Sequence, residues 1–388
     1  MRNLTPRINL LVLGASGGVA NAFLGILLKY RSQFGLLILL DRDDKVTKSM
    51  CLNHKELDYI FIQSNLKKEN VDNTLKELYE KYSISIVLDL TDYDTLPILS
   101  ATDSLGLSYL NCSLNSEYSS MGHFVEDSNN FFKRFNKNIH VLSLGMNPGI
   151  IHHLIVKGVL EYGLPNEFIE IEYDSSIPKE KPKKPFISWS KKQFLNEAVW
   201  GPAGYCGDGG QYIETKEKAV NTLVDTKKFL APIKKLRVYP KGMIVPHDEV
   251  ITMSRILEIP GRFIYAIHPT SLSELVKISN EKSFVKEEDI DYIDNISEPL
   301  LGSDCIGVWL KYVDKNICYF FDVQNSKIHG TNSTLFLVGV GVAAGLIDYI
   351  QNPLLENGVY SALELNNENF LKIVSEHVEI KKHEEKVK

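Results

Sequence analysis

The stretch LVLGASGGVA at residues 11–20 decides the fold of this chain. It overlaps the apolar run INLLVLG at 8–14, which is typical of a strand buried on both faces of a sheet. Three glycines then follow within five positions, and the segment VANAFLGILLKY at 19–30 is apolar at helical spacing. The stretch therefore predicts a strand, a tight turn and a helix, the first unit of an α/β sheet.

The same alternation of strand and helix continues along the first 147 residues. Segments 68–82 and 95–106 have helical patterns. Buried strands are predicted at LLILLD, YIFIQ, SISIVLDLT, LSYLNCS and HVLSL. This rhythm predicts an α/β fold class, with a Rossmann-type doubly wound parallel sheet in residues 1–147. A further apolar helix at 332–350 is expected to pack back on this domain.

Residues 148–330 have a different pattern and predict a second, α+β domain. Its strand-like segments follow one another without long helices between them, which indicates a mainly antiparallel sheet. The predicted strands are FIEIEY, KLRVYP, EVITMSRIL, RFIYAIH, CIGVWLKYV and ICYFFDVQ. We expect this domain to bind the substrate and to form a homodimer through its sheet. The charged residues 375–388 predict a frayed tail.

Composition narrows the classes of function. Of 388 residues, 44% are hydrophobic, and the formal net charge of −6 argues against a nucleic-acid-binding protein. No apolar run reaches the roughly 18 residues of a membrane span, and residues 1–8 lack the apolar core of a secretory signal. The five cysteines have no metal-ligand spacing. We therefore expect a cytoplasmic protein with reduced thiols, without a metal and without membrane association.

The glycine-rich turn is a variant of the dinucleotide-binding fingerprint, Gly14-x-x-Gly17-x-x-Ala20. Gly14 permits the tight turn, and Gly17 lets the backbone approach a pyrophosphate at the helix N-terminus. Asp41 ends the second strand 24 residues after Gly17, near the spacing at which a carboxylate binds the adenosine ribose. Asp41 would repel a 2′-phosphate, so the sequence favours NAD, while Arg42 beside it keeps NADP open.

Polar residues at the ends of other predicted strands are candidates for the nicotinamide side. The carboxyl ends of parallel strands face the crevice where ligands bind. Asp89 and Thr91 follow one buried strand, and Asn111 ends the next. The alternative is that Asp89 caps the following helix. The complete set of predicted cofactor contacts is Gly14, Ser16, Gly17, Gly18, Val19, Asp41, Arg42, Asp89, Thr91 and Asn111.

Three further residues are candidates for chemistry on a substrate. Asn147 precedes a proline, which favours an extended backbone, and its amide could bind a ligand. Glu197 lies among two tryptophans and a tyrosine in 186–205, and a buried carboxylate beside aromatic rings suits a cationic amine. His268 ends a predicted strand. Each has a simpler alternative: a plain turn, a surface glutamate beside core aromatics, and a core histidine.

Taken in order, several segments resemble the saccharopine dehydrogenase-like proteins and, within them, the bacterial homospermidine synthases. Besides the glycine turn, the resemblance is carried by VLDLTDYDTLPIL (87–99), GMNPGIIHHLIVKGVL (145–160), WSKKQFLNE (189–197), GPAGY (201–205), PGRFIYAIHPTSL (260–272) and the Asn-Ser-Thr start of the 332–350 helix. It implies that NAD oxidises a diamine to an imine, that a second amine replaces ammonia, and that the new imine is reduced. The implied partner is a small-molecule amine.

The resemblance also implies roles for individual residues. Asn147, Glu197 and His268 match active-site positions and are the predicted catalytic residues. The predicted substrate contacts are Trp189, Tyr205 and Thr270.

Two of these positions depart from the family pattern. Tyr205 stands near the place of a tryptophan that holds an ammonium group, and Thr270 stands where the family has a glutamate two residues after the histidine. Loss of that carboxylate would weaken the binding of a second cationic amine. The residues that could supply a displaced carboxylate are Asp208, Asp248, Glu249 and Glu274.

Two other functions stay open at this point. A saccharopine-type or carboxynorspermidine-type reductase would join an amine to a carbonyl acid, and Arg255, Arg262 or Lys311 could then hold the carboxylate. A protein that binds NAD without catalysis is the second alternative, and Thr270 is the residue that favours it.

Overall fold

The computed structural model describes residues 7–44, 56–116, 131–292 and 300–387. Its described residues form two compact units. The first holds the residues up to 116, then 131–149, and Phe336–Phe370, and the second holds 150–335 and the chain from Leu371. Two sequence arguments rest partly on residues outside this range. They are the lack of a secretory signal, which uses residues 1–6, and the cysteine spacing, which uses Cys51. The other four cysteines are free thiols.

The first unit contains a seven-stranded sheet whose strands all run parallel. The strands are β1 (Ile8–Leu13), β2 (Phe34–Asp41), β3 (Tyr59–Gln63), β4 (Ile86–Asp89), β5 (Ser108–Asn111), β6 (Ile139–Leu142) and β15 (Gly358–Ser361). Their spatial order is β3-β2-β1-β4-β5-β6-β15. This is the doubly wound order of a dinucleotide-binding sheet, and the predicted fold class is confirmed.

Helices of the first unit connect these strands. They are α1 (Gly18–Leu27), α2 (Val71–Tyr82), α3 (Thr95–Ser104) and α9 (Ser333–Gln351), whose first three residues belong to the second unit. By length and composition α9 could span a membrane, but 78% of its apolar window is buried. Gly339 explains part of this packing, because a Cβ there would come within 2.7 Å of Ala22 on α1. Most of α9 is therefore buried inside the protein.

The second unit contains a nine-stranded sheet. Its strands are β7 (Glu167–Asp174), β8 (Pro202–Cys206), β9 (Tyr212–Lys218), β10 (Val224–Asp225), β11 (Lys241–Val245), β12 (Gly261–Ile267), β13 (Ser303–Lys311), β14 (Lys315–Gln324) and β16 (Lys381–Lys386). The main order is β10-β11-β12-β7-β13-β14-β16, and β8 joins β12 to β9. Only the β12–β7 pair among these strands is parallel, so the predicted mainly antiparallel sheet is confirmed.

The two faces of the second sheet have opposite character. Side chains alternate between faces along a strand, so β7 places Ile169, Ile171 and Tyr173 on one face. These three belong to an apolar core with Trp309 and Phe229. The intervening acids of β7 face the other way. The helices of this unit are α4 (Ile151–Tyr162), α5 (Lys191–Leu195), α6 (Lys227–Leu230), α7 (Asp248–Leu257) and α8 (Pro269–Glu281), and α10 (Asn367–Ser375) enters it from the first.

Three local predictions for the second unit are wrong. The segment EVITMSRIL forms helix α7 rather than a strand, because acids in its first turn and Arg255 in its last complement the helix dipole. The segment KLRVYP contains no strand. The tail is not frayed along its length, since β16 pairs with β14 from Lys315 to Phe320 and completes the sheet edge.

Candidate functional site: a nucleotide loop and a buried acid cluster

The glycine turn has the backbone geometry that a dinucleotide site requires. Gly14 has a φ of +75°, and a Cβ there would lie 2.9 Å from the carbonyl oxygen of Leu90. Only glycine fits a position that combines a left-handed backbone with such close contact. Gly17 precedes α1 with an extended backbone, and no side chain among the described residues caps this helix. The backbone N–H groups of the first turn of α1, including those of Gly18 and Val19, are therefore available for an anion.

Asp41 ends β2 beside this turn and holds it in place. One carboxylate oxygen accepts a hydrogen bond from the Ser16 N–H at 2.9 Å, and the other accepts one from the Asp43 N–H at 3.0 Å. Each oxygen keeps lone pairs for a ribose hydroxyl. Arg42 is exposed next to it. The structure therefore brings the glycine turn and Asp41 together, as the sequence predicts.

The polar residues at the ends of β4 and β5 form a buried network instead of an open surface. Asp89 accepts hydrogen bonds from the Thr91 hydroxyl and the Tyr109 hydroxyl, each at 2.7 Å. Burial raises the pKa of Asp89 to about 6, although these hydrogen bonds oppose the rise. Asn111 accepts a hydrogen bond from the Ser143 N–H at 2.9 Å. Asp89, Thr91 and Asn111 thus order the strand ends, and their contact with a cofactor stays a prediction.

The structure tests the predicted helix cap at Asp89 and the predicted backbone at Asn147. The alternative that Asp89 caps the following helix is wrong, since the Asp94 side chain accepts the Leu96 N–H and caps α3. Asn147 has the extended backbone expected before a proline, with φ −134° and ψ 104°. Its role toward a ligand stays a prediction.

In the second unit, Glu197 lies on a wide π-helical turn. Ser190 caps α5 by accepting the Gln193 N–H, and the chain then widens into the turn Asn196–Trp200. Turns of this kind occur often at functional sites. The Glu197 side chain is only 13% exposed. Burial raises its pKa to about 7, with the His247 charge opposing the rise and the Glu249 charge adding to it.

The nearest ionisable partner of Glu197 is His247, which no sequence argument singled out. His247 Nε2 lies 3.9 Å from Glu197 Oε2, and its Nδ1 lies 2.5 Å from Glu249 Oε2. Burial would lower the pKa of His247, but the charge and hydrogen bond of Glu249 outweigh burial and raise it to about 9. The structure therefore holds an imidazolium between two carboxyl groups. Glu249 binds its Nδ1 and so directs its Nε2 toward Glu197.

Glu249 is a fully buried carboxylate in the first turn of α7. Burial alone would raise its pKa, but the His247 charge, together with the side chain of Glu170 beside it, outweighs burial and lowers the pKa to about 2. The nearby His152 on α4 adds to the lowering. Glu170 projects from β7 and is itself fully buried. Glu197, His247, Glu249 and Glu170 form what we call the acid cluster.

Aromatic rings stand beside the acid cluster. The ring of Phe263 on β12 meets His247 edge-on at 5.1 Å between centroids and stacks on Tyr265 at 5.8 Å. The indole N–H of Trp189 donates to the Tyr265 hydroxyl at 2.9 Å. Phe194 completes this aromatic wall, 6.1 Å from Trp189. Buried carboxyl groups beside aromatic faces form a site for a cation.

The acidic face continues along β7 beyond the acid cluster. Glu172 and Asp174 alternate with apolar residues and so share the face of Glu170. Asp174 pairs in register with Asp304 on β13, and both are buried. Burial raises the pKa of both carboxyl groups, and the charge of Asp174 raises that of Asp304 further. Two adjacent buried carboxyl groups repel each other when both are ionised, so burial and this repulsion act in the same direction on the pair.

Other predicted site residues lie in different surroundings. His268 is the N-cap of α8, where its Nδ1 accepts the Thr270 N–H at 3.2 Å, and burial lowers its pKa. Tyr205 lies on β8 and is 36% exposed. Thr270 stands two residues after His268, whereas a glutamate, Glu249, stands two residues after His247. Glu249 is one of the four carboxylates considered as a displaced partner.

Comparisons with known proteins give a fold and no family. No protein family model and no curated protein matches the sequence. Among solved structures, the homospermidine synthase from Legionella pneumophila in complex with NAD has a TM-score of 0.79 at 12% identity, covering 97% of this chain and 91% of that chain. This likeness shows that the two proteins share a fold.

Two further solved structures match with lower scores. An amine dehydrogenase from Mycobacterium smegmatis has a TM-score of 0.44 at 10% identity, covering 94% of this chain and 98% of that chain. A myo-inositol 2-dehydrogenase from Lactobacillus plantarum has a TM-score of 0.46 at 8% identity, covering 95% of each chain.

Proposed function

We propose that this protein is an NAD-dependent oxidoreductase that acts on the C–N bond of a small amine, with chemistry like that of the homospermidine synthases. The observation that carries the proposal is the acid cluster beside the aromatic wall. A set of buried carboxyl groups has a large desolvation cost unless a cation compensates it. His247 compensates Glu249, and an ammonium group in this site would compensate the remaining carboxyl groups and would bind the aromatic faces as well.

The residues of the first unit fit the cofactor. Gly14 and Gly17 leave room for a pyrophosphate, and the uncapped start of α1 attracts its charge. Asp41 suits the ribose hydroxyls of NAD better than a 2′-phosphate. When bound, NAD supplies acceptance and return of a hydride. The NAD bound in the Legionella structure, which shares this fold, supports the same assignment.

The acid cluster has the protonation states that amine chemistry needs near neutral pH. An amine must lose its ammonium proton before its carbon can give up a hydride or its nitrogen can attack an imine. Glu197, with a pKa of about 7, can accept and return such a proton. Glu249 stays ionised and fixes His247 as an imidazolium that faces Glu197. Glu197 is therefore the proposed general base, and His247 and Glu249 position and balance it.

The structure favours an amine substrate over a carbonyl acid. A reductase that joins an amine to a carbonyl acid needs a cation in the pocket, and the candidates were Arg255, in the last turn of α7, with Arg262 and Lys311 on strands. Arg262 alternates with Phe263 on β12, and Lys311 shares the side of Trp309 on β13. Both therefore lie on the face of the sheet opposite the acid cluster.

The non-catalytic alternative also loses its main support. It depended on Thr270 in place of a glutamate, whereas the buried pair of His247 and Glu249 supplies the missing carboxylate. A cytoplasmic location and a homodimer stay predictions from the sequence.

The proposal is tested by giving the purified protein and NAD a charged substrate and a neutral substrate of equal length. We expect putrescine to be consumed, as followed by mass spectrometry, and 1,4-butanediol to remain. Equal consumption of the two would contradict a site selective for ammonium groups. Consumption that requires an added keto acid, with net oxidation of NADH, would move the protein to the reductases.

A further inference from the structure

A cavity lies on the face of the second sheet that is opposite the acid cluster. It has a volume of about 720 Å³ and is formed by β10, β11, β12 and α6 with the residues that follow. Its apolar lining includes Phe229, Ile244 and Ile264. Ile244 and Ile264 are register partners on neighbouring strands, and Phe229 and Ile264 belong to the buried core. The apolar floor is therefore fixed by the core of the unit.

Basic groups surround this floor. Lys227, Lys228 and Arg262 line the cavity, and Lys228 Nζ lies 4.6 Å from the centroid of the Phe229 ring. Lys311 Nζ lies 5.8 Å from the same ring. Burial lowers the pKa of Lys311, and the charge of Lys228 lowers it further, while Glu385 and Glu167 raise it. Lys228 and Lys311 are thus close enough to repel each other across an apolar surface.

The acids near the cavity are already paired. Asp225 lies 3.5 Å from Lys241 and accepts the Lys227 N–H at 2.8 Å. Glu167 lies 2.9 Å from Arg262. Among the residues that the structure describes, Lys228 has no carboxylate within ion-pair distance. The cavity therefore keeps an excess of positive charge above an apolar floor.

We propose that this cavity binds a small soluble anion with a hydrocarbon or aromatic body. The body would cover Phe229, Ile244 and Ile264, and a carboxylate or phosphate would bind at Lys228 and its basic neighbours. The volume is within the range of small-molecule sites, about 300–1,000 Å³, which are mainly apolar with a few polar groups. The site is separate from the proposed amine site, since the two lie on opposite faces of one sheet. It does not depend on the proposed enzymatic function.

The test is isothermal titration of the full chain, without NAD, with octanoate, octyl phosphate and octyltrimethylammonium. We expect saturable binding of the two anions and none of the cation. Lys228→Glu should weaken anion binding about tenfold, the effect of losing one charge-assisted contact. The matched control is Lys216→Glu on β9, an exposed lysine away from the cavity lining, which should leave the affinity unchanged.

Three results would overturn the proposal: equal binding of the cation, an unchanged affinity in Lys228→Glu, or binding only when the anion is part of a phosphatidylglycerol vesicle. Lys228 is exposed, so its substitution should leave the unfolding temperature near that of the original chain, and circular dichroism checks this. Conversion of putrescine is measured in parallel. It should persist in Lys228→Glu, so failure of the anion site is distinguishable from failure of the proposed enzymatic function.

Discussion

The substitution Glu197→Gln replaces an ionisable carboxyl group by an amide of nearly the same shape. In the structure this carboxyl faces the His247 imidazole across 3.9 Å, with the buried Glu249 behind it. The amide can neither accept the ammonium proton nor carry a negative charge. We therefore expect turnover of the amine to fall about 10²- to 10⁴-fold, the usual loss when a general base is removed.

Turnover and stability should both depend on pH through the ionisation of Glu197. Turnover should rise with pH through the pKa of Glu197 at about 7 and fall again through that of His247 at about 9. Residual turnover in Glu197→Gln should lack the rise near 7. Because the pKa of a carboxyl is raised by folding from 4.5 to about 7, ionised Glu197 lowers the stability of the native chain by about 3 kcal/mol above pH 7. That loss should be absent in Glu197→Gln.

Two assays measure these effects on the same variant. Product formation from putrescine is followed by mass spectrometry across the pH range, and the free energy of unfolding is measured with urea at low and high pH. The matched control is Glu217→Gln, an exposed glutamate on β9, which should change neither. NAD affinity should be unchanged in both variants, because Gly14 and Asp41 belong to the other unit. Full turnover with an unshifted pH profile in Glu197→Gln would refute the assignment of Glu197.

Three further predictions concern the cofactor loop and the aromatic wall. Gly14→Ala should lower stability and NAD affinity far more than Gly106→Ala. Both glycines have positive φ, but only Gly14 has backbone atoms within 3.0 Å of the added Cβ. Thermal unfolding and NAD titration measure the two effects, and equal behaviour of the two variants would contradict the prediction. Asp41→Ala should weaken NAD binding about tenfold and NADP binding less; an equal loss of both would remove Asp41 from the ribose. Trp189→Phe deletes the hydrogen bond to Tyr265 and the larger aromatic face. KM for the amine should therefore rise several-fold, which corresponds to a loss of about 1 kcal/mol of binding free energy, with NAD affinity unchanged. An unchanged KM would exclude Trp189 from the amine site.

The first unit was predictable because its sequence signals are local. Continuous apolar runs mark strands buried on both faces, and the turn at Gly14 requires a residue without a Cβ. Asp41, at the end of β2, then follows Gly17 after 24 residues, the length of one helix and one strand. These signals predicted the turn and placed Asp41 beside it, as the structure has them, and their contact with a cofactor stays a prediction. What they left out was the burial of Asp89, which depends on Tyr109 from the neighbouring strand.

The second unit was harder because its site depends on contacts that are distant along the chain. Glu197, His247 and Glu170 come from a π-helical turn, the start of α7 and the middle of β7. A usable signal was nevertheless present, since FIEIEYD places an acid at every second position of an apolar strand. Acids with that period on one face of a buried strand indicate a polar site.

His247 was not predicted, for a related reason. The resemblance points to His268, which the structure places at the N-cap of α8 and whose role stays a prediction. The segment HDEV at 247–250 contains a histidine, a helix start and a glutamate two residues later. The strand predicted at 249–257 overlaps this segment, and its Val, Ile and Thr residues are typical of strands. Their β propensity is overridden by the capping charges of α7 and by burial of its apolar face.

The measurement that tests the central claim most directly is the product and NADH balance with putrescine alone. The purified protein is incubated with NAD at a pH between about 7 and 9, where Glu197 is ionised and His247 is still protonated. The account predicts that two putrescine molecules give homospermidine and ammonia, with no net change in NADH. Stable binding of NAD with no amine product anywhere in that range would contradict it.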